Sequence, residues 1–285
     1  WLDAVRYADT RGFHGGNDQP AWPYRDYVLR AFLDNKPFDQ FTREQIAGDL
    51  LPDATVQQRV ASAYNRILRT SREGGLQEKE YLAKYASDRV RTTSSVWLGL
   101  TMGCAECHDH KFDPILQRDY YRMKAFFAPL LPRDSMPVGT VPQRTEFFRQ
   151  HKAWAAATGD IRRQLHAIEQ PALLKNTTGE GFNKFIDRIK TMVRKRPEDR
   201  TGYERQIAEL SERQFGVEPE KLPERLKGGT KEEWERLRAE LKSFEVQKPK
   251  PLPQVRFVIS DAGPVAPATR IPKKGDDVEP GFLSI

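Results

Sequence analysis

The only two cysteines of the chain stand three positions apart, in Cys104-Ala105-Glu106-Cys107-His108. Small stapled folds use several cysteine pairs spread along the sequence, so a disulfide framework is excluded as the basis of this one. The 285 residues, 38% hydrophobic and 31% charged, must instead bury apolar faces of regular elements. No apolar run approaches the ~20 residues that cross a bilayer, so no membrane span is expected. The first residue is Trp1 rather than Met, and the sequence reads as a fragment whose targeting segments lie outside it.

The apolar faces follow a helical period, and the fold expected is all-α. Trp1–Ala8 reads as an amphipathic helix. Tyr27, Val28, Ala31 and Phe32 share one face of a helix from about Tyr24 that ends at Asn35-Lys36-Pro37. Thr42-Arg43-Glu44-Gln45 has the form of a capping box, and Thr55 caps a helix carrying Val56, Val60 and Tyr64. A longer helix runs from about Glu78 through Tyr85 and Val90, weakened by β-branched residues at Thr92, Thr93 and Val96. An aromatic helix with Tyr120, Tyr121, Phe126 and Phe127 follows Asp113-Pro114.

Composition then divides the chain. Residues 1–130 are the helical domain that holds the cysteine motif. Pro129–Pro142 is a proline-rich connection, and 131–250 form a charged helical spacer or hairpin with three apolar stripes. These are Trp154, Ile161, Leu165 and Ile168; Phe182, Phe185, Ile189 and Met192; and Trp234, Leu237, Leu241 and Phe244. Residues 251–285 are a linker and the start of a further domain, with Val255–Ile259 as the best strand candidate. Residues 1–130 hold 18 Lys and Arg against 17 Asp and Glu, so most of the net charge of +7 lies beyond them. Acids interleave with those basic residues, which suits solvated helices and gives no ground for a nucleic-acid partner.

The cysteine motif carries the chemistry. Two thiols separated by two residues match the spacing of porphyrin vinyl groups, and the adjacent histidine reaches the iron. Cys104 and Cys107 thus anchor haem c, with His108 as proximal ligand. Other readings stay open. A zinc site would need a distant fourth ligand, and no second cysteine pair exists. A redox or structural disulfide would leave the thiols without a cofactor. His14, in a glycine-rich loop, is the first choice for a distal iron ligand, ahead of Met123, Met136, His151 and His166. His110 and Asp113 are a candidate second site for a non-haem metal or a proton relay, set against a simple turn before Pro114. Arg66, Arg69 and Arg72 with Glu73 suit haem propionates, and Arg6 and Asp9 with Tyr7, Trp22 and Tyr24 suit a polar pocket. Solvated or capping charge is the commoner role for both groups.

Four stretches carry a family resemblance: Trp1–Thr10, Pro37–Thr42 with Gln45–Pro52, Trp97–Thr101, and Cys104–Pro114. Together they resemble the large cytochrome-c-associated proteins of unknown function abundant in planctomycetes. Asp277–Leu283 resembles the opening of that family's second domain. The resemblance implies an extracytoplasmic protein, periplasmic or secreted, with a redox partner or upstream cytochrome module and a setting beside polysaccharide-degrading systems. The function expected is electron transfer by a c-type haem. The alternatives are a haem- or metal-dependent enzyme, or an interaction module whose cysteines form a disulfide.

Overall fold

The computed structural model describes residues 1–13, 19–71, 77–179, 181–272 and 274–284. Apolar spacing and chain breakers shape its first half. Helix α1 (Trp22–Leu33) has Pro23 in its first turn and buries Tyr24, Tyr27, Val28 and Ala31, whereas Phe32 is 63% exposed. Helix α2 (Phe38–Ala47) begins directly after Pro37, so the expected cap at Thr42 lies inside it, and the Thr42 hydroxyl donates to the Phe38 carbonyl. Proline, with fixed φ and no N–H, sets the start upstream of the box. Thr55 does cap α3 (Val56–Ala61): its hydroxyl accepts from the Gln58 amide, and the Gln58 side chain accepts from the Thr55 amide.

Helix α4 (Glu78–Thr93) continues through Thr92 and Thr93 into a wider turn over Ser94–Leu98. Gly99, at φ 64°, ends it in the left-handed conformation that glycine takes without steric cost. A short 3-10 turn, Met102–Glu106, then leads to α5 (Gln117–Phe126). The N-terminal residues differ from expectation. Trp1–Ala8 is a turn rather than a helix, with the Arg6 and Tyr7 amides donating to the Asp3 and Leu2 carbonyls and Arg6 at φ 63°.

The all-α expectation is overturned by a strand ladder. β1 (Leu130–Pro137) pairs antiparallel with β4 (Gln254–Asp261), from Leu130 opposite Asp261 to Pro137 opposite Gln254. The fold is mixed, 58% helix and 10% strand, although helices dominate. β1 falls in the stretch whose prolines mark it as a connection. Its sheet has two strands, so Pro132 and Pro137 lie on an edge, where a missing N–H is tolerated. The strand expected at Val255–Ile259 is the central part of β4.

Between these strands the chain makes a helical excursion: α6 (Val141–Ala157), α7 (Gly159–Lys175), α8 (Asp187–Arg194), α9 (Gly202–Glu212), α10 (Leu222–Arg225) and α11 (Gly228–Ser243). β2 (Thr178–Gly179) and β3 (Phe215–Gly216) pair within it. The first stripe is divided, with Trp154 on α6 and Ile161, Leu165 and Ile168 on α7, and it packs on the third stripe while the second packs on α9. Ile161 and Leu165 of α7 bury against Leu237 of α11, with Ile168, Trp234, Leu241 and Phe244 around them. Phe182, Ile189 and Met192 meet Ile207 and Ala208 of α9.

The final segment returns to the first half. Val255, Phe257 and Val258 of β4 enter a core built from Val5, Tyr24, Tyr27, Phe41, Val60 and Tyr64. β5 (Thr269–Arg270) pairs with β6 (Asp277–Val278), and Ile271 and Val278 join a second core with Val90, Met102, Ala105, Ile115, Tyr120 and Tyr121. Among the described residues, no helix is long and apolar enough to cross a membrane.

Candidate functional site

The cysteine motif lies on the outside of that second core. Met102 and Ala105 are fully buried, and they fix the inner side of the turn by packing against α5. What remains outward is Cys104, Cys107 and His108, all exposed, with both thiols free. The Cys107 amide donates to the Cys104 carbonyl at 3.2 Å, closing the turn that brings the two cysteines together.

Glu106, between the cysteines, anchors the turn through both its backbone and its side chain. Its carbonyl accepts from the Tyr121 hydroxyl at 3.0 Å and from the Gln117 side-chain amide at 3.3 Å. Its carboxylate accepts from Ser87 at 2.7 Å and from Arg91 at 2.6 Å, tying the motif to α4. Burial works to raise the Glu106 pKa, but the bonds from Ser87 and Arg91 outweigh it and hold the carboxyl below its ordinary range. Asp109 accepts from the Gln117 amide at 2.7 Å and so fastens the far side of the motif to the start of α5. One clue to this support is local, a carboxylate held between two cysteines, but its partners on α4 and α5 are distant in the chain.

The two histidines of the motif region differ in tautomer. His108 Nδ1 lies 2.7 Å from the Asp109 carbonyl oxygen. A carbonyl only accepts, so Nδ1 carries the proton and the Nε2 lone pair is free to bind a metal. His110 is the reverse. Its Nδ1 accepts from the Asp113 amide at 2.9 Å, which places the proton on Nε2. In that tautomer the Asp113 carboxylate, 3.3 Å from Nδ1, meets a lone pair and makes no hydrogen bond. His110 and Asp113 are thus adjacent, and their geometry is that of a closed turn. Among the described residues, no group of three or more His, Cys, Asp or Glu side chains converges to hold a metal ion.

The other candidate ligands are dispersed. His14 lies outside the described residues, as do Arg72 and Glu73. His166 Nε2 contacts the Arg194 carbonyl at 2.9 Å, and His151 packs against Phe147 and Trp154 on α6. Met136 receives a contact from Arg59, and Met123 packs partly buried against the second core. Arg66 is not a surface group for propionates. It is buried, pairs with Asp134, and donates to the Arg133 carbonyl. Of the residues suggested for a polar pocket, Arg6 bonds Asp88, Tyr24 donates to Gln45 while its ring stacks on Tyr7, and Trp22 is exposed. Tyr7 and Asp9 do meet, hydroxyl to carboxylate, at 2.8 Å.

Every part of this cysteine turn, from Met102 to its support on α5, lies in the first half of the chain. Residues 1–131 match the family model PSCyt2, a protein of unknown function (DUF1549). The matched stretch contains Cys104–His108 and its supports on α4 and α5, and it ends as β1 begins. No curated protein matches the chain, and no solved structure does.

Proposed function

We propose that the chain carries a covalent c-type haem on Cys104 and Cys107, with His108 Nε2 as an axial ligand, and that it transfers electrons outside the cytoplasm. The observation that carries this reading is the bond from His108 Nδ1 to the Asp109 carbonyl. It presents the free lone pair outward beside two exposed, unpaired thiols. The donor set fits the group: two sulfurs to bond the vinyl carbons and one neutral imidazole for the iron. When bound, the haem supplies a one-electron couple. The protein's share is to hold the turn rigid through Met102, Ala105, Glu106 and Tyr121 and to fix the imidazole tautomer. A redox partner protein or an upstream cytochrome module is the expected electron donor or acceptor, and the resemblance to cytochrome-associated planctomycete proteins supports that assignment.

The test is to co-express the full chain with haem-attachment machinery and record the reduced pyridine haemochrome of the denatured product. A c-type spectrum that resists extraction with acidic acetone is the result expected. Haem that is absent, or that extracts, rejects the reading.

A further inference from the structure

A cleft of about 810 Å³ lies between the N-terminal turn and α4, and Glu106 of the attachment turn forms part of its wall. Five cationic side chains line it, Arg6, Arg11, Arg69, Lys84 and Arg91, against three carboxylates. All three carboxylates are already paired: Asp88 with Arg6, Glu80 with Lys84, and Glu106 with Arg91. Two cations, Arg11 and Arg69, have no ion-pair partner among the described residues.

The two unmatched charges differ in setting. Arg69 is exposed at the mouth of the cleft. Arg11 is 4% exposed, and its guanidinium donates to the Arg66 carbonyl and the Gln19 side chain, while its Nε has no partner. Burial, and the like charge of Arg66, lower its pKa to about 10, although Tyr7 and Asp9 offset part of that cost. An anion in the cleft would compensate Arg11 through the low-dielectric field without touching it. Arg6 is held in place at some expense. Its left-handed backbone, disfavoured for a residue with a Cβ, is retained by bonds to the Ile67 carbonyl and Asp88.

We infer that this cleft receives the two carboxylates of a haem anchored at Cys104 and Cys107, balanced by the charges of Arg11 and Arg69. The inference rests on the attachment reading above. A haem carries two propionates, two cations of the cleft have no ion-pair partner among the described residues, and its wall includes a residue of the proposed attachment motif. The shared chemistry is a pair of carboxylates, which a free dicarboxylate also offers, so the test separates the two sources.

The full chain is produced with and without haem-attachment machinery, and each form is titrated with succinate by calorimetry. Without haem, the chain binds succinate, and Arg69→Gln weakens that binding at least tenfold. Arg236→Gln, which removes an exposed charge on α11, does not. With haem attached, succinate binding weakens at least tenfold, and Arg69→Gln lowers the midpoint potential relative to Arg236→Gln. A haem-loaded chain that binds succinate as tightly as the haem-free chain overturns the assignment, because the cleft then serves a free carboxylate. Equal potentials for the two variants, with no succinate binding by either form, also overturn it while leaving haem attachment intact. A wild-type chain that acquires no covalent haem removes both readings, and the haemochrome spectrum shows which case applies.

Discussion

His108 Nδ1 lies 2.7 Å from the Asp109 carbonyl oxygen, within two adjacent residues of the chain. That bond sets the proton on one ring nitrogen and leaves the lone pair of the other free. His110, two positions later, has the opposite tautomer because the Asp113 amide donates to its Nδ1. Replacement of each histidine separates their roles. In the haem-loaded chain His108→Ala changes the ferric spectrum, since an axial nitrogen is lost. His110→Ala leaves the spectrum as it was and costs about 1 kcal/mol in urea unfolding, the worth of one neutral hydrogen bond. Equal spectral changes in both variants would contradict the assignment.

Tyr121 supports the turn from α5 through its hydroxyl bond to the Glu106 carbonyl. Tyr121→Phe keeps the ring packing and removes that bond, so it destabilises the chain by about 1 kcal/mol. Urea unfolding measures the loss. An unchanged midpoint would show that the bond does not hold the turn.

Glu106 gives the motif a pH dependence whose sign is fixed. Its folded pKa is depressed, by bonds from Ser87 and Arg91 that outweigh burial. Its contribution is present above the unfolded carboxylate pKa, about 4.3, and is lost as pH falls through the lower folded value. Wild type therefore loses stability on acidification below about pH 5, and Glu106→Gln shows a shallower loss over that range. Parallel curves for the two proteins, measured by thermal unfolding from pH 7 to pH 3, would contradict this.

The ring of Phe257 joins β4 to the first core. The guanidinium carbons of Arg11 and Arg66 lie 4.1 and 4.2 Å from its centroid, and the residue is 1% exposed. Phe257→Ala leaves a cavity and strips two buried cations of their contact, at a cost of about 3–5 kcal/mol. Denaturant unfolding of the full chain checks it, and a loss below about 1 kcal/mol would show that β4 is dispensable to that core.

Gly48, the residue that follows α2, packs against α3, where a Cβ would run into the Gln58 carbonyl oxygen. A backbone atom cannot swing away as a side chain does. Gly48→Ala is expected to lower stability by at least about 1–3 kcal/mol, the usual cost of overpacking, read as a fall in Tm. No fall would mean that the two helices have room to separate.

The legible parts of the fold were those with local causes. The Thr55 cap, the β4 strand and the pairing of the Ile161 and Trp234 stripes follow from residues within one element or from simple periodicity. β1 was hidden because Pro132 and Pro137 break strands in general and are harmless only on an edge, which depends on a partner more than a hundred residues away. Trp1–Ala8 has helical spacing, yet Arg6 turns left-handed to reach Ile67 and Asp88. For the candidate site, spacing alone singles out Cys104, Cys107 and His108, and the structure exposes all three on one turn. The Glu106 bonds to α4 and α5, and the burial of Arg66 against Asp134, are tertiary and have no local signature.

Covalent haem on Cys104 and Cys107 is checked by peptide mass mapping of the chain co-expressed with haem-attachment machinery. Cleavage at basic residues releases the segment from Thr92 to Lys111, which contains both cysteines. The result expected is that this peptide carries one haem on Cys104 and Cys107, and that Cys104→Ser with Cys107→Ser abolishes it. Recovery of the wild-type peptide with both thiols free, or joined to each other, would contradict it.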